Sequence, residues 1–141
     1  MALALTARYA GQMMPWLLGL YAAASLLHFM HNAEHLSQYP NLPASWSRTD
    51  VYLAWCAVTS VGLSGYLLYR SGYPRVGLAV LTVYGVLGFA GLLHYTRAPI
   101  THHSATMNFT IWVEVAAAAV LLIDVTSIAM HRVGGPFKLH R

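Results

Sequence analysis

The stretch Val113–Val125, VEVAAAAVLLIDV, decides the fold. A helix on the surface of a soluble bundle carries a polar stripe at helical spacing. Here only Glu114 and Asp124 interrupt an apolar run, so the segment has no water-facing side. Extended outward, the apolar block runs from Met107 to Met130, and three more precede it at Met14–Leu36, Val51–Tyr69 and Val76–Tyr95. Each is close to the ~20 residues that cross a ~30 Å hydrocarbon core as an α-helix. Hydrophobic residues make up 57% of the 141-residue chain and charged ones 9%, with a mean hydropathy of +0.52. The expected fold is all-α: a polytopic integral membrane four-helix bundle, up-down-up-down. It forms one domain over 1–141, with helices over 14–36, 51–69, 76–95 and 105–130.

The first block continues into HFMHNAEHL rather than a small-residue cleavage site, and Arg8 is the only basic residue before it, so it reads as a retained helix. Pro15 suits a first-turn position. Thr49 or Asp50 can cap the second helix, and Thr101 or Ser104 the fourth. The short connector RSGYPR makes helices two and three antiparallel neighbours. Trp16, Trp46, Tyr69, Tyr73 and Tyr95 fall near segment ends, where aromatic rings favour the headgroup zone. Gly62, Gly65, Gly85, Gly88 and Gly91 suggest close helix approach. The lone Cys56 rules out an intrachain disulfide and reads as a small packing residue.

Basic residues set the expected topology. Arg8, Arg70, Arg75, Arg132, Lys138 and Arg141 share one side, and Arg48 and Arg97 the other. The positive-inside rule puts both termini in the cytoplasm; in a bacterium this is the inner membrane. The pI near 9.5 therefore reads as topology. No aromatic–basic RNA-binding motif or phosphate loop is present, and no nucleic-acid partner is expected. The expected partners are the bilayer and other membrane subunits or a homo-oligomer.

Six of the eight histidines fall at one end of this bundle: His28, His31 and His35 on the first helix, His94 on the third, and His102 and His103 before the fourth. At 100° per residue His28, His31, Asn32 and His35 share a face, which Tyr21 continues, and Glu34 lies on its flank. His103, Met107, Thr110 and Glu114 share a face on the fourth helix. At about 1.5 Å per residue, His28 and Glu114 lie at matching depth, roughly 10 Å below the outer surface, and are a predicted pair. His31, His35, His94 and His103 form a shallower layer. His131 and His140 fall at the opposite end.

Imidazole is the commonest ligand for zinc, copper and iron, and carboxylates complete a shell or orient a histidine. Ionisable groups at membrane depth are functional suspects. Single interfacial histidines are tolerated, so the weight lies on the group. The expected metal ligands are His28, His31, His35, His94 and His103, with Glu114 and Glu34. Met30 and Met107 make copper a candidate beside iron and zinc. The alternative is haem b, or a pigment, held by His28, His31, His94 and His103, with Ala22–Ala24, Gly88 and Gly91 leaving room.

The run His31-Asn-Ala-Glu34-His35 resembles the H-x-x-E-H pattern of inverted zinc peptidases, which implies two zinc-binding histidines and Glu34 as water activator. Those enzymes are large and soluble, unlike this chain. His31-x-x-x-His35 and His102-His103 are loosely similar to the histidine boxes of membrane fatty-acid desaturases and hydroxylases, which implies two metal ions. This chain is shorter and lacks a third box. Neither resemblance assigns a family. The expected function is transition-metal binding near the non-cytoplasmic surface, as an oxidoreductase on a lipid-soluble substrate. The rivals are a haem or pigment subunit of an electron-transfer complex, and a non-catalytic metal-handling or accessory subunit. Asp124, near the cytoplasmic side, has no evident partner.

Overall fold

A computed structural model describes residues 2–133, with side chains over 12–132. Helix α1 covers Ala2–Glu34, α2 Arg48–Arg70, α3 Pro74–Leu87, α4 His94–Arg97 and α5 Ala105–Val133. Spans Gln12–Glu34, Arg48–Arg70, Pro74–Arg97 and Ala105–Arg132 are long and apolar enough to cross a membrane. Large apolar side chains are exposed along them, including Trp16, Leu63, Val83 and Ile123. Water would not tolerate such a coat, and lipid favours it. The chain is an integral membrane four-helix bundle. Around its axis α1 neighbours α2 and α5, and α3 closes the ring against the same two.

Local chemistry sets the ends. The α2 cap is Ser47, two or three residues earlier than expected: its hydroxyl accepts from the Asp50 N–H, and the Asp50 carboxylate accepts from the Ser47 N–H. Asp50 is thus the return partner of a capping box. At α5 the expected Ser104 accepts from the Met107 N–H at 3.2 Å. Pro15 lies inside α1, because the helix begins at Ala2. Gly72, at φ +92°, makes the turn into α3 that only glycine adopts freely, and Pro74 opens that helix. Cys56 is exposed on α2, so it faces lipid and does not pack.

The third span departs most from expectation. It is not one helix over 76–95. Helix α3 stops at Leu87, and a 3-10 turn over Ala90–Leu93 leads into α4. Bonds from Gly88 N to Gly85 O, Phe89 N to Val86 O and Leu92 N to Phe89 O mark the tightened path. Three residues per turn place Gly85, Gly88 and Gly91 one above another. A Cβ on Gly88 would lie 2.4 Å from that of Ala118 and 2.7 Å from the Tyr21 hydroxyl. These glycines let the broken span press against α1 and α5. Irregular backbone at membrane depth is tolerated where it is buried in protein or lines a cavity.

Beneath the break lies a dry core of Tyr21, Leu81, Tyr84, Ala118, Leu121 and Val125. The Tyr21 and Tyr84 rings stand 4.5 Å apart, and the Tyr21 hydroxyl donates to the Tyr84 carbonyl at 3.3 Å. Between helices in lipid, cohesion comes from such packing and hydrogen bonds rather than from water exclusion.

Candidate functional site

Above that core, α1, α5 and the broken third span bring four polar side chains together. His28 lies one turn below Asn32 on α1. Its Nδ1 bonds Glu114 Oε2 on α5, with both side chains buried. Asn32 Nδ2 donates to His28 Nε2 at 3.1 Å and to His94 Nε2 at 3.4 Å. An Nε2 that accepts leaves the His28 proton on Nδ1, where it is donated to the Glu114 carboxylate. This tautomer follows from the hydrogen-bond network. The approach depends on Gly91: a Cβ there would lie 3.0 Å from His28 Cε1 and 3.4 Å from Glu114 Oε2.

His94 links this pair to the outer layer. Its ring centroid is 5.5 Å from that of His28, 4.9 Å from Tyr39 and 6.3 Å from His103. His103 is buried; its Nδ1 donates to the Pro99 carbonyl at 3.1 Å. Its buried Nε2 has no hydrogen-bond partner among the described residues, nor has Asn32 Oδ1. Unsatisfied buried polar atoms are unusual enough to call for a cause.

The other expected ligands sit apart. His31 accepts from the Tyr39 hydroxyl at 2.8 Å, and its ring lies 4.6 Å from that of His35. Burial holds the Tyr39 phenol above its ordinary pKa, so it remains a donor. Glu34 leaves the cluster altogether: it pairs with Arg48 at 2.6 Å and accepts from the Tyr52 hydroxyl at 2.8 Å. On this exposed flank its carboxylate is engaged by Arg48 and Tyr52 rather than by His31 or His35. His102 and His131 are exposed. His140, Lys138 and Arg141, and the Arg8 side chain, lie outside the described residues. Among the described residues no three His, Cys, Asp or Glu side chains are already gathered around one ion position.

Three contributors go beyond the expected ligands. Asn32 shares the histidine face at a spacing of four from His28, and that spacing was its signal. Gly91, expected as a residue of close helix approach and as room for a macrocycle, lies three residues before His94 and instead admits the His28 ring. Tyr39 sits in a connector, where nothing in the sequence gives its direction.

A cavity of about 260 Å³ adjoins the cluster. Its inner end is formed by His28, Asn32, Gly91, His94 and Glu114, and its walls by Phe29, Leu36, Leu42, Trp46, Val51, Val58, Leu87, Ala90, Leu93 and Arg97. Compared with protein-family models, with curated proteins and with solved structures, the chain matches none.

Proposed function

We propose that this membrane protein binds a transition metal ion through His28, His94 and His103, with Glu114 orienting His28. The observation that carries the reading is the placing of two imidazole Nε2 atoms, of His28 and His94, on one Asn32 amide nitrogen at 3.1 and 3.4 Å. An acceptor pair around a single donor is a pair of lone pairs aimed at one small volume. Rotation of the Asn32 side chain would offer that volume to a cation. The Glu114 carboxylate on His28 Nδ1 supports the same reading, because metal-bound histidines usually give their second nitrogen to such a group. The unpartnered Nε2 of His103, beside His94, is the natural third ligand. His31 and His35, whose rings lie 4.6 Å apart, form an outer pair that Tyr39, bonded to His31 and beside His94, links to the inner site. Imidazole ligands suit copper, iron and zinc.

The adjoining space favours an ion over haem. An apolar cavity of ~150 Å³ holds one benzene, so about 260 Å³ takes roughly ten carbon-sized atoms, far fewer than a macrocycle. Arg70, Arg75 and Arg132 at the opposite end support cytoplasmic termini and a site on the outer side. Turnover on a lipid-soluble substrate, and service as an accessory subunit, are extensions of this binding role.

Metal analysis of detergent-purified protein tests the proposal. The wild type is expected to hold a stoichiometric ion. His94→Ala and His103→Ala lose it, and Glu114→Gln weakens it about 10–100-fold, whereas Glu34→Gln retains it. A wild type that takes up no copper, iron or zinc, or a His94→Ala variant that binds as tightly, would overturn the assignment.

A further inference from the structure

The cavity beside the histidines has a chemistry of its own. We propose that it receives the ring of a quinone-class molecule dissolved in the bilayer. The inference extends the ion-site reading to the adjoining space and rests on that reading only for the shared inner wall. Size is the first argument. Room for roughly ten carbon-sized atoms fits a substituted quinone ring and is far too small for a whole phospholipid chain pair.

The second argument is the sign of the polar groups. The amide hydrogens of Asn32 are spent on His28 and His94; His94, whose Nε2 accepts one of them, keeps its own proton on Nδ1, and Trp46 adds an indole N–H and Arg97 a guanidinium, all three lining the cavity. The acceptor among the lining side chains that carries charge, Glu114, is already engaged by His28. Buried Asn32 Oδ1 is left without a partner, so an occupant brings acceptor oxygens and no more than a hydroxyl donor, which describes a quinone and its hydroxyl-bearing reduced form.

The third argument is where the donors lie. His94 is at the inner end, beside Asn32 and buried His28, while Trp46 and Arg97 are exposed at the outer end. Between them stand apolar walls such as Phe29 and Val58. A quinone ring carries carbonyl oxygens on opposite edges and satisfies both ends at once. A fatty acid would place its carboxylate at Arg97 and an alkyl chain against the Asn32 and His94 polar groups. Leu87 and Leu93 line the cavity and are also exposed on the flank of the bundle, so entry is sideways from hydrocarbon.

The test is photolabelling in lipid nanodiscs with an azido-substituted decylbenzoquinone, with metal content measured on the same preparations. Label is expected on the segments around Phe29 and between Leu87 and Arg97. Excess decylubiquinone should protect them and dodecanoate should not. Val58→Phe, which narrows the cavity without touching a polar group, should cut protected labelling about tenfold while metal content holds; Ala90→Phe gives the same readout from an exposed position. Label spread over lipid-facing Leu63 and Ile123 without protection, or protection by dodecanoate, would overturn the proposal. Protected labelling of a metal-free wild type would leave this inference standing and sink the ion site. A metal-loaded protein with no protected labelling would do the reverse.

Discussion

The two halves of the bundle are built from the same helices and solve opposite problems. In the half around Tyr21, Leu81, Tyr84, Leu121 and Val125, side chains are buried almost completely and one hydroxyl–carbonyl bond ties the tyrosines. In the half around His28, Asn32, His94, His103 and Glu114, buried atoms are left without partners and a cavity stands open beside them. Packed apolar surface holds helices together in lipid; half-satisfied polar groups do not, and they persist where function keeps them. The change falls at Gly88, where the third span leaves the α-helix. Below it, glycine admits neighbouring helices; above it, Gly91 admits the His28 imidazole that bonds Glu114. The difference teaches that the tightest packing and the partly unsatisfied histidine cluster lie on opposite sides of that break.

The sharpest break of that contrast is Glu114→Ala. It leaves the buried His28 Nδ1–H without an acceptor, and an unsatisfied buried donor costs about 1–3 kcal/mol. Denaturation in mild detergent should show it. The double variant with His28→Ala should lose less than the sum of the two single variants, since neither partner is then stranded. Strict additivity would mean that the two side chains do not interact.

Gly77→Ala probes the packed half. A Cβ there would lie 2.4 Å from Tyr69 N and 2.8 Å from Gly65 O. Both are backbone atoms that cannot swing aside, so α2 and α3 must separate, at a cost of about 1–3 kcal/mol. Metal content per folded molecule should not change. A stability loss accompanied by loss of metal would show that the halves are coupled.

Gly91→Ala asks the reverse question. The contacts it would make, 3.0 Å to His28 Cε1 and 3.3 Å to His28 Nδ1, are with side chains that can yield by a few tenths of an ångström. Stability should fall by less than about 1 kcal/mol. Metal affinity should fall about 10–100-fold, as it does when the group orienting a ligand is disturbed. Unaltered affinity would show that His28 tolerates displacement.

The sequence made the bundle legible because apolar length is a local property, and a run such as Val113–Val125 needs no partner to be read. The His28–Glu114 pair was legible for a related reason: helical rise gives depth, and helical period gives face. What escaped depends on contacts between distant segments. At the Gly88 break the third span lies against Tyr21 and Ala118, contacts that no window along the chain contains. Glu34 shares a helix with the histidines, but its direction is set by Arg48 and Tyr52 across the first connector. Tyr39 is placed by the path of that connector, and Asn32 by its place between two imidazoles, one of them 62 residues away.

The smallest expected effect concerns the second carboxylate of α5. Asp124 lies toward the packed half, and its Oδ2 has no hydrogen-bond partner among the described residues. Glu114, ten residues earlier, sits deeper inside the protein and is held by His28. If the partner rather than the carboxyl group confers value, replacing each by its amide must give different results. Glu114→Gln should weaken metal binding, whereas Asp124→Asn should leave metal binding intact and change stability by less than about 1 kcal/mol, toward greater stability, because an unpaired acceptor contributes nothing by being charged. A marked loss of stability in Asp124→Asn would mean that this carboxylate also answers to a cation, and the clean division between a packing half and a chemical half would fail.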